Sequence, residues 1–247
     1  VGEKVIPGAV DFVKNVRANG KKIVFFTNNA SRNKEIYFER LNKMGFQAEM
    51  SEIVSSGDVT ADYLSKVYPG EKVFVLGTPA LKKTFTDHNI PLTDGLDAQI
   101  VCTSFDTTLT YAALETACRL ISSGAIYIST HEDINCPTEY GAMPDSGAIN
   151  AAITASTGKA PKYLGKPHKE TADMIASLAH TSLDSIAVVG DRLYTDIALG
   201  TRNGITSILV LTGEAKEEDI TPDNVPDFVF SSIAEINNSL LDNTNMQ

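Results

Sequence analysis

Two kinds of apolar block alternate along the chain. Short uninterrupted apolar runs bounded by glycine, proline or asparagine read as buried strands. Longer stretches with apolar residues three and four apart read as amphipathic helices. The spacing predicts a helix over Pro7–Ala18, with Ala9, Phe12, Val13 and Val16 on one face and Gly20 ending it. A strand over Lys22–Phe26 follows, then a helix capped by Ser31 that carries Ile36, Phe38 and Leu41 and stops at Gly45. Ile53-Val54 as strand and Asp58–Val67 as helix complete a first block. After Tyr68-Pro69-Gly70 the alternation restarts, with strands at Val73–Leu76, Gln99–Thr103 and Ile126–Ser129 and helices at Pro79–Thr86, Tyr111–Ser122 and Ser146–Ser156. Past Thr157-Gly158-Lys159-Ala160-Pro161 come a helix over Lys169–Ala179, a strand Ile186–Val189 and a helix Thr195–Thr201. The strands Ser207–Val210 and Phe228–Phe230, a last helix and a loose tail from Asp242 to Gln247 close the chain.

Strands alternating with helices predict an α/β protein with a mostly parallel sheet covered on both faces. The two Pro/Gly breaks look like crossings between domains. The simplest grouping makes residues 1–70 and 164–247 one domain with 71–163 inserted into it. Composition adds limits: 43% hydrophobic and 21% charged residues describe an ordinary globular chain. A net charge of −10 argues against nucleic acid or an acidic membrane surface as partner, whereas a small anionic substrate needs only a local positive site. Cys102, Cys118 and Cys136 form an odd set without a short-spaced pair, which suits reduced thiols in the cytoplasm. No apolar run approaches the ~20 residues of a membrane span. The first residue is Val1, so the natural start and a leader peptide stay open.

Ligands in such folds sit beyond the carboxyl ends of the strands, and three such ends carry chemistry. Phe26-Thr27-Asn28-Asn29 offers a hydroxyl, two amides and backbone N–H groups suited to phosphate oxygens; the plainer reading is a turn and a helix cap. Gly165-Lys166-Pro167 offers a compact positive charge where glycine permits close approach; the plainer reading is a surface lysine before a helix. In Val189-Gly190-Asp191-Arg192-Leu193-Tyr194-Thr195-Asp196, Asp191 is placed to hold a hard cation, with Asp196 orienting the site behind it. The plainer reading makes Asp191 a turn residue and Asp196 a helix N-terminal acid.

Taken together, Thr27-Asn28, Gly165-Lys166-Pro167 and Gly190-Asp191 with Thr195-Asp196 resemble the haloacid dehalogenase-like phosphohydrolases, and more closely their NagD or para-nitrophenyl phosphatase branch. Leu76-Gly77-Thr78-Pro79 supports the likeness, which runs from Pro7 to about Phe230. The resemblance implies a Rossmann-like core with a large α/β cap at 71–163. It also implies a Mg²⁺-dependent phosphomonoesterase acting on a small phosphorylated metabolite through an aspartyl-phosphate. Lys166, Thr27 and Asn28, with Asn29, would neutralise and bind the transferring group, Asp191 would hold Mg²⁺, and Asp196 would support it. By the same resemblance His131–Pro137 belongs to a substrate-facing cap loop, with Asn135 and Cys136 touching substrate. A homodimer stays open as the assembly. A second metal site at His131, Asp133 and Cys136 mixes hard and soft ligands without a fourth partner and is disfavoured. His168 and His180 read as helix residues without a catalytic partner.

The family carries its nucleophile and general acid in an Asp-x-Asp motif on a first strand, just ahead of a segment like Val1–Ala9. The 247 residues contain no Asp-x-Asp; Asp11 falls inside a helix, and Asp106 and Asp133 fall in the cap. A sheet stripped of a central strand should lose more than the ~5–15 kcal/mol a domain has to spare. The expectation is therefore a natural chain that extends ahead of Val1, with a refilled sheet or an inactive phosphoester-binding relative as the alternative. A receiver-type signalling domain has its acidic residues in another order, and a dinucleotide oxidoreductase lacks its Gly-x-Gly-x-x-Gly here. The polypeptide beginning at Val1 is expected not to turn over para-nitrophenyl phosphate; release of nitrophenol by that polypeptide would show that another residue is the nucleophile.

Overall fold

The structure is a computed structural model and describes residues 4–244. In chain order its elements are α1 (Ala9–Ala18), β1 (Phe25–Thr27), α2 (Lys34–Lys43), β2 (Ile53–Ser55), α3 (Ser56–Val67), β3 (Val73–Leu76) and α4 (Pro79–Asp87). Next come β4 (Ile100–Thr103), α5 (Tyr111–Ser122), β5 (Ile126–Ser129), β6 (Asn135–Thr138), β7 (Gly141–Pro144), α6 (Ser146–Thr157) and β8 (Lys162–Tyr163). The last are α7 (Lys169–Ala179), β9 (Ala187–Gly190), α8 (Ala198–Asn203), β10 (Thr206–Val210), β11 (Phe228–Phe230) and α9 (Ile233–Thr244). The expected α/β alternation holds, and every strand pair except the β6–β7 hairpin is parallel among the described residues.

The chain divides into two compact units. The first takes Phe25–Phe38 and Ile53–Gly165. Its sheet runs β3-β4-β5-β8, and β1 pairs with β2. Each of β3 and β4 is buried along its whole length, as expected for parallel strands covered on both faces. α5 and α6 lay Ala117, Leu120, Ile121, Ile149 and Ile153 on Phe74, Leu76, Val101 and Tyr127 of the sheet. Ile121 and Ile153 are fully buried, each worth about 1.5–3 kcal/mol of transfer energy. The second unit takes the described residues of 4–24, Glu39–Glu52 and 166–244, with a sheet in the order β11-β10-β9. There α1 packs against α9, and Asn15 Nδ2 donates to Asn237 Oδ1 at 2.7 Å.

Several expectations shift, each for a local reason. The strand read at Lys22–Phe26 is paired only from Phe25, because its ladder partner β2 begins at Ile53. Ser31 does not cap α2; its hydroxyl donates to Asn29 Oδ1, and Asn33 Oδ1 accepts the Ile36 N–H instead. α3 starts at Ser56, not Asp58, because Ser55 and Asp58 exchange bonds in a capping box. The β6–β7 hairpin and β8 are not among the expected strands, since Asn135–Thr138 and Gly141–Pro144 are polar or proline-bearing and β8 is only Lys162-Tyr163. The helix read at Thr195–Thr201 begins as a π-turn over Leu193–Ile197 before α8. The tail read from Asp242 is helical through Thr244, and its remaining residues lie outside the described ones, as do Val1–Glu3.

Among the described residues no helix is long and apolar enough to cross a membrane. The three cysteines are free, and burial pushes the Cys102 thiol well up, so it stays a neutral core side chain. Asp58 accepts from the Ser55 N–H at 2.8 Å and hydroxyl at 2.7 Å while buried. Asp58→Ala is expected to lower stability by about 1–2 kcal/mol, read as an earlier urea midpoint at unchanged slope.

Candidate active site

In the first unit the carboxyl end of β1 delivers Thr27, Asn28 and Asn29. Thr27 Oγ1 accepts the Asn29 N–H at 3.1 Å, and Asn29 Oδ1 accepts the Ser31 N–H at 3.0 Å. These bonds are the turn chemistry of the plainer reading. They also curl the backbone after β1 into a fixed arc. The Thr27 hydroxyl hydrogen has no acceptor among the described residues, which leaves it to donate to a ligand oxygen. Asn28 is buried, its carbonyl accepts the Ser56 hydroxyl at 2.5 Å, and its Nδ2 donates to Asp133 Oδ1 at 3.0 Å.

Asp133 belongs to a buried cluster at the neck of the β6–β7 hairpin. His131, Asp133 and Asp145 offer atoms within 4.8 Å of one another, a spacing that a metal ion could use. Cys136, grouped with His131 and Asp133 in the sequence reading, is replaced in this set by Asp145. The donor atoms are already engaged. His131 Nε2 and Asp145 Oδ1 are 2.8 Å apart, and Asp145 Oδ1 also accepts the Ser146 N–H at 2.6 Å to cap α6. His131 Nδ1 faces Thr130 Oγ1 at 2.8 Å and Ser56 Oγ at 3.4 Å. The set works as a hydrogen-bond network that pins both ends of the hairpin. The residues beyond it are open: Asn135 is exposed, Cys136 half-buried, and Tyr140 at the tip is 99% exposed. The loop expected to face substrate is thus buried at His131 and Asp133 and exposed only further out.

Gly165 closes the first unit. A Cβ there would lie 2.7 Å from the Thr130 carbonyl and 2.8 Å from Asn28 Oδ1. The close approach that glycine permits is therefore to the protein's own donor turn.

In the second unit Lys166 Nζ donates to Asp196 Oδ1 at 2.6 Å, with side chains only 12% and 9% exposed. Pro167 does not open the next helix, since α7 starts at Lys169 with His168 before it. Asp196 sits in the π-turn and not at a regular helix start; its Oδ2 accepts the Arg192 N–H at 3.2 Å. Gly190 is required by this placement. A Cβ at that position would come within 2.2–2.5 Å of the Asp196 side chain. Asp191 leaves the end of β9, half-buried, with Oδ2 accepting the Glu214 N–H at 2.9 Å. Its other oxygen has no hydrogen bond among the described residues. A hard, singly tied carboxylate oxygen at a strand end fits a divalent cation well. Arg192 pairs with Glu214 at 2.8 Å and lies 5.8 Å over the Tyr194 ring.

The structure thus brings Lys166 to Asp196 and Asn28 to Asp133. Asp145 and Glu214 were missed from the sequence. One sits at a helix cap and the other in a loop, and neither spacing carries a chemical signature.

Comparison with known proteins identifies the family. Residues 1–91 match the family model of haloacid dehalogenase-like hydrolases, and residues 163–236 match that of the related HAD-hydrolase-like family. An acid sugar phosphatase of Staphylococcus aureus (strain USA300) is 34% identical over 228 residues, 92% of this chain and 87% of that protein. The crystal structure of 4-nitrophenylphosphatase from Thermotoga maritima superposes with a TM-score of 0.92 at 40% identity, covering 97% of this chain and 92% of that one. NagD from E. coli K-12 gives a TM-score of 0.88 at 26% identity over 95% and 92% of the two chains. The chain belongs to the haloacid dehalogenase-like hydrolases, in their NagD and p-nitrophenyl phosphatase branch of phosphatases.

Gly190→Ala tests the packing behind Asp196. It is expected to cost about 1–3 kcal/mol in urea unfolding, because the added methyl must push the Lys166–Asp196 pair apart.

Proposed function

We propose that the protein is a Mg²⁺-dependent phosphomonoesterase of small phosphorylated metabolites, sugar phosphates foremost. The observation that carries this is the buried Lys166–Asp196 pair two-thirds of the way along a chain whose other strand ends present Thr27 and Asp191. Burying an ammonium costs several kcal/mol unless it is paired. Asp196 pairs with Lys166 and holds its charge in place, and an ammonium carries three N–H donors, a number that suits phosphate oxygens. Thr27 would donate its hydroxyl to the same kind of oxygen, with the Asn28 turn fixing its aim. Asp191 would be the chain's metal ligand, and Asp196 would orient Lys166 from behind. The metal, when bound, supplies charge neutralisation on the transferring phosphoryl group.

In the family's mechanism an aspartate attacks phosphorus to form an aspartyl-phosphate, which water hydrolyses with a second aspartate moving the proton. Those two aspartates are the Asp-x-Asp pair, which the 247 residues do not contain. Residues 71–163 would act as the cap, with the exposed hairpin carrying Asn135 and Cys136 towards the substrate's leaving group. The free thiols favour a cytoplasmic setting. Substrate preference rests on the S. aureus relative, whose name is acid sugar phosphatase.

The test is a panel of phosphate monoesters assayed with and without Mg²⁺ on the protein expressed from its gene, with intact mass and N-terminal sequence recorded. Mg²⁺-dependent phosphate release, strongest on sugar phosphates, is expected. No release from a protein verified to carry Asp-x-Asp would overturn the proposal in favour of a phosphoester-binding role. Separately, Asp191→Asn is expected to weaken Mg²⁺ binding at least ~10-fold by calorimetry while leaving the circular dichroism spectrum unchanged.

A further inference from the structure

Asp191 does not stand alone at the end of β9. The loop after β10 comes up against it within the second unit and touches it at two successive residues. Glu214 donates its N–H to Asp191 Oδ2 at 2.9 Å, and Ala215 donates its N–H to the Asp191 carbonyl at 3.0 Å. Gly213 lies so close that a Cβ there would fall 1.9 Å from Oδ2 and 2.3 Å from Cγ. Its φ lies outside the left-handed region, so an alanine backbone is tolerated. The three atoms nearest to such a Cβ all belong to the Asp191 side chain.

The same loop is tied from its other side. Glu214 Oε2 pairs with Arg192 Nε at 2.8 Å, the Arg192 side chain being 17% exposed. Below, Leu193, Ala215, Leu211 and Ile220 pack together and hold the two loops as one piece. Arg192 is therefore attached at both of its ends: its N–H holds Asp196 and its guanidinium holds the loop that holds Asp191.

We propose that Gly213 and Glu214 form a seat that positions the Asp191 carboxylate, and that Arg192 locks this seat through its ion pair with Glu214. These are positioning residues. Gly213 keeps the space clear, the Glu214 N–H occupies one carboxylate oxygen, and the remaining oxygen is turned to a single direction. The inference rests on the reading of Asp191 as metal ligand.

Binding of Mn²⁺ alone, read from the electron paramagnetic resonance of the free ion, tests it without recourse to activity. Gly213→Ala is expected to weaken Mn²⁺ binding about tenfold or more. Arg192→Ala and Glu214→Gln are each expected to weaken it about 3- to 5-fold, because the pair is partly exposed. The double variant should be no worse than the weaker single one, since both changes remove one interaction. Urea midpoints of the metal-free Arg192 and Glu214 variants should match the parent, and the charge-reversed pair Arg192→Glu with Glu214→Arg should recover affinity. Unchanged Mn²⁺ affinity in these variants, with affinity lost in Asp191→Asn, would overturn the seat while sparing the metal ligand. Unchanged affinity in Asp191→Asn would instead overturn the underlying reading. A fall in metal-free stability that accounts for the lost affinity would also overturn the seat; if Gly213→Ala does not fold, the Arg192 and Glu214 variants decide the matter.

Discussion

A lysine ammonium paired with an aspartate in the protein interior governs the design of the second unit. Lys166 and Asp196 are both close to nine-tenths buried, and removing one partner of such a pair would leave the other buried without it. A buried ion pair is a weak way to stabilise a fold, because desolvation consumes most of the attraction. Its presence fits the proposed need for a fixed positive charge at that place. The neighbouring sequence obeys this demand. Gly190 has no side chain because the Asp196 carboxylate occupies the space, and the π-turn over Leu193–Ile197 swings Asp196 back under β9. Widened helical turns of this kind recur at functional sites, where they redirect one side chain that a regular helix would send elsewhere.

The first unit solves a related problem with neutral and carboxylate groups. Its donor turn at Thr27–Asn29 is a loop, and loops move. Asp133 holds Asn28, Ser56 holds the Asn28 carbonyl, and His131 joins that knot to Asp145 at the start of α6. The antiparallel β6–β7 hairpin grows out of this knot with its outer residues in solvent. A rigid base and an exposed tip are what a specificity element requires: the base keeps register with the donor turn, and the tip is free to vary. The cluster has the residue types of a metal site, yet its atoms are committed to one another. Residue type alone does not make a site.

The sequence was most legible where one force dominates. The fully buried strands β3 and β4 and the amphipathic helices α5 and α7 are set by burial, and periodicity reported their bounds to within a residue. The short polar strands β6, β7 and β8 exist because a neighbouring backbone offers them a ladder, which leaves no hydrophobic imprint. The start of α2 went to Asn33 over Ser31 because Asn29 captured the serine hydroxyl, a competition invisible in the order of residues.

The linear order of residues determined the family and the α/β class, and it singled out Thr27, Lys166, Asp191 and Asp196 as the candidate side chains. Their chemistry needs particular residue types at strand ends, and both type and position are written in one dimension. Only the tertiary structure decided what holds each of them. Lys166 meets Asp196 thirty positions along the chain, Asn28 meets Asp133 more than a hundred positions along, and Asp191 meets the Gly213–Glu214 step more than twenty along. Within each unit, such partners are chosen by which loops the parallel strands bring side by side. Hydrogen-bond and packing constraints there act over a few ångströms of space, whatever the distance along the chain.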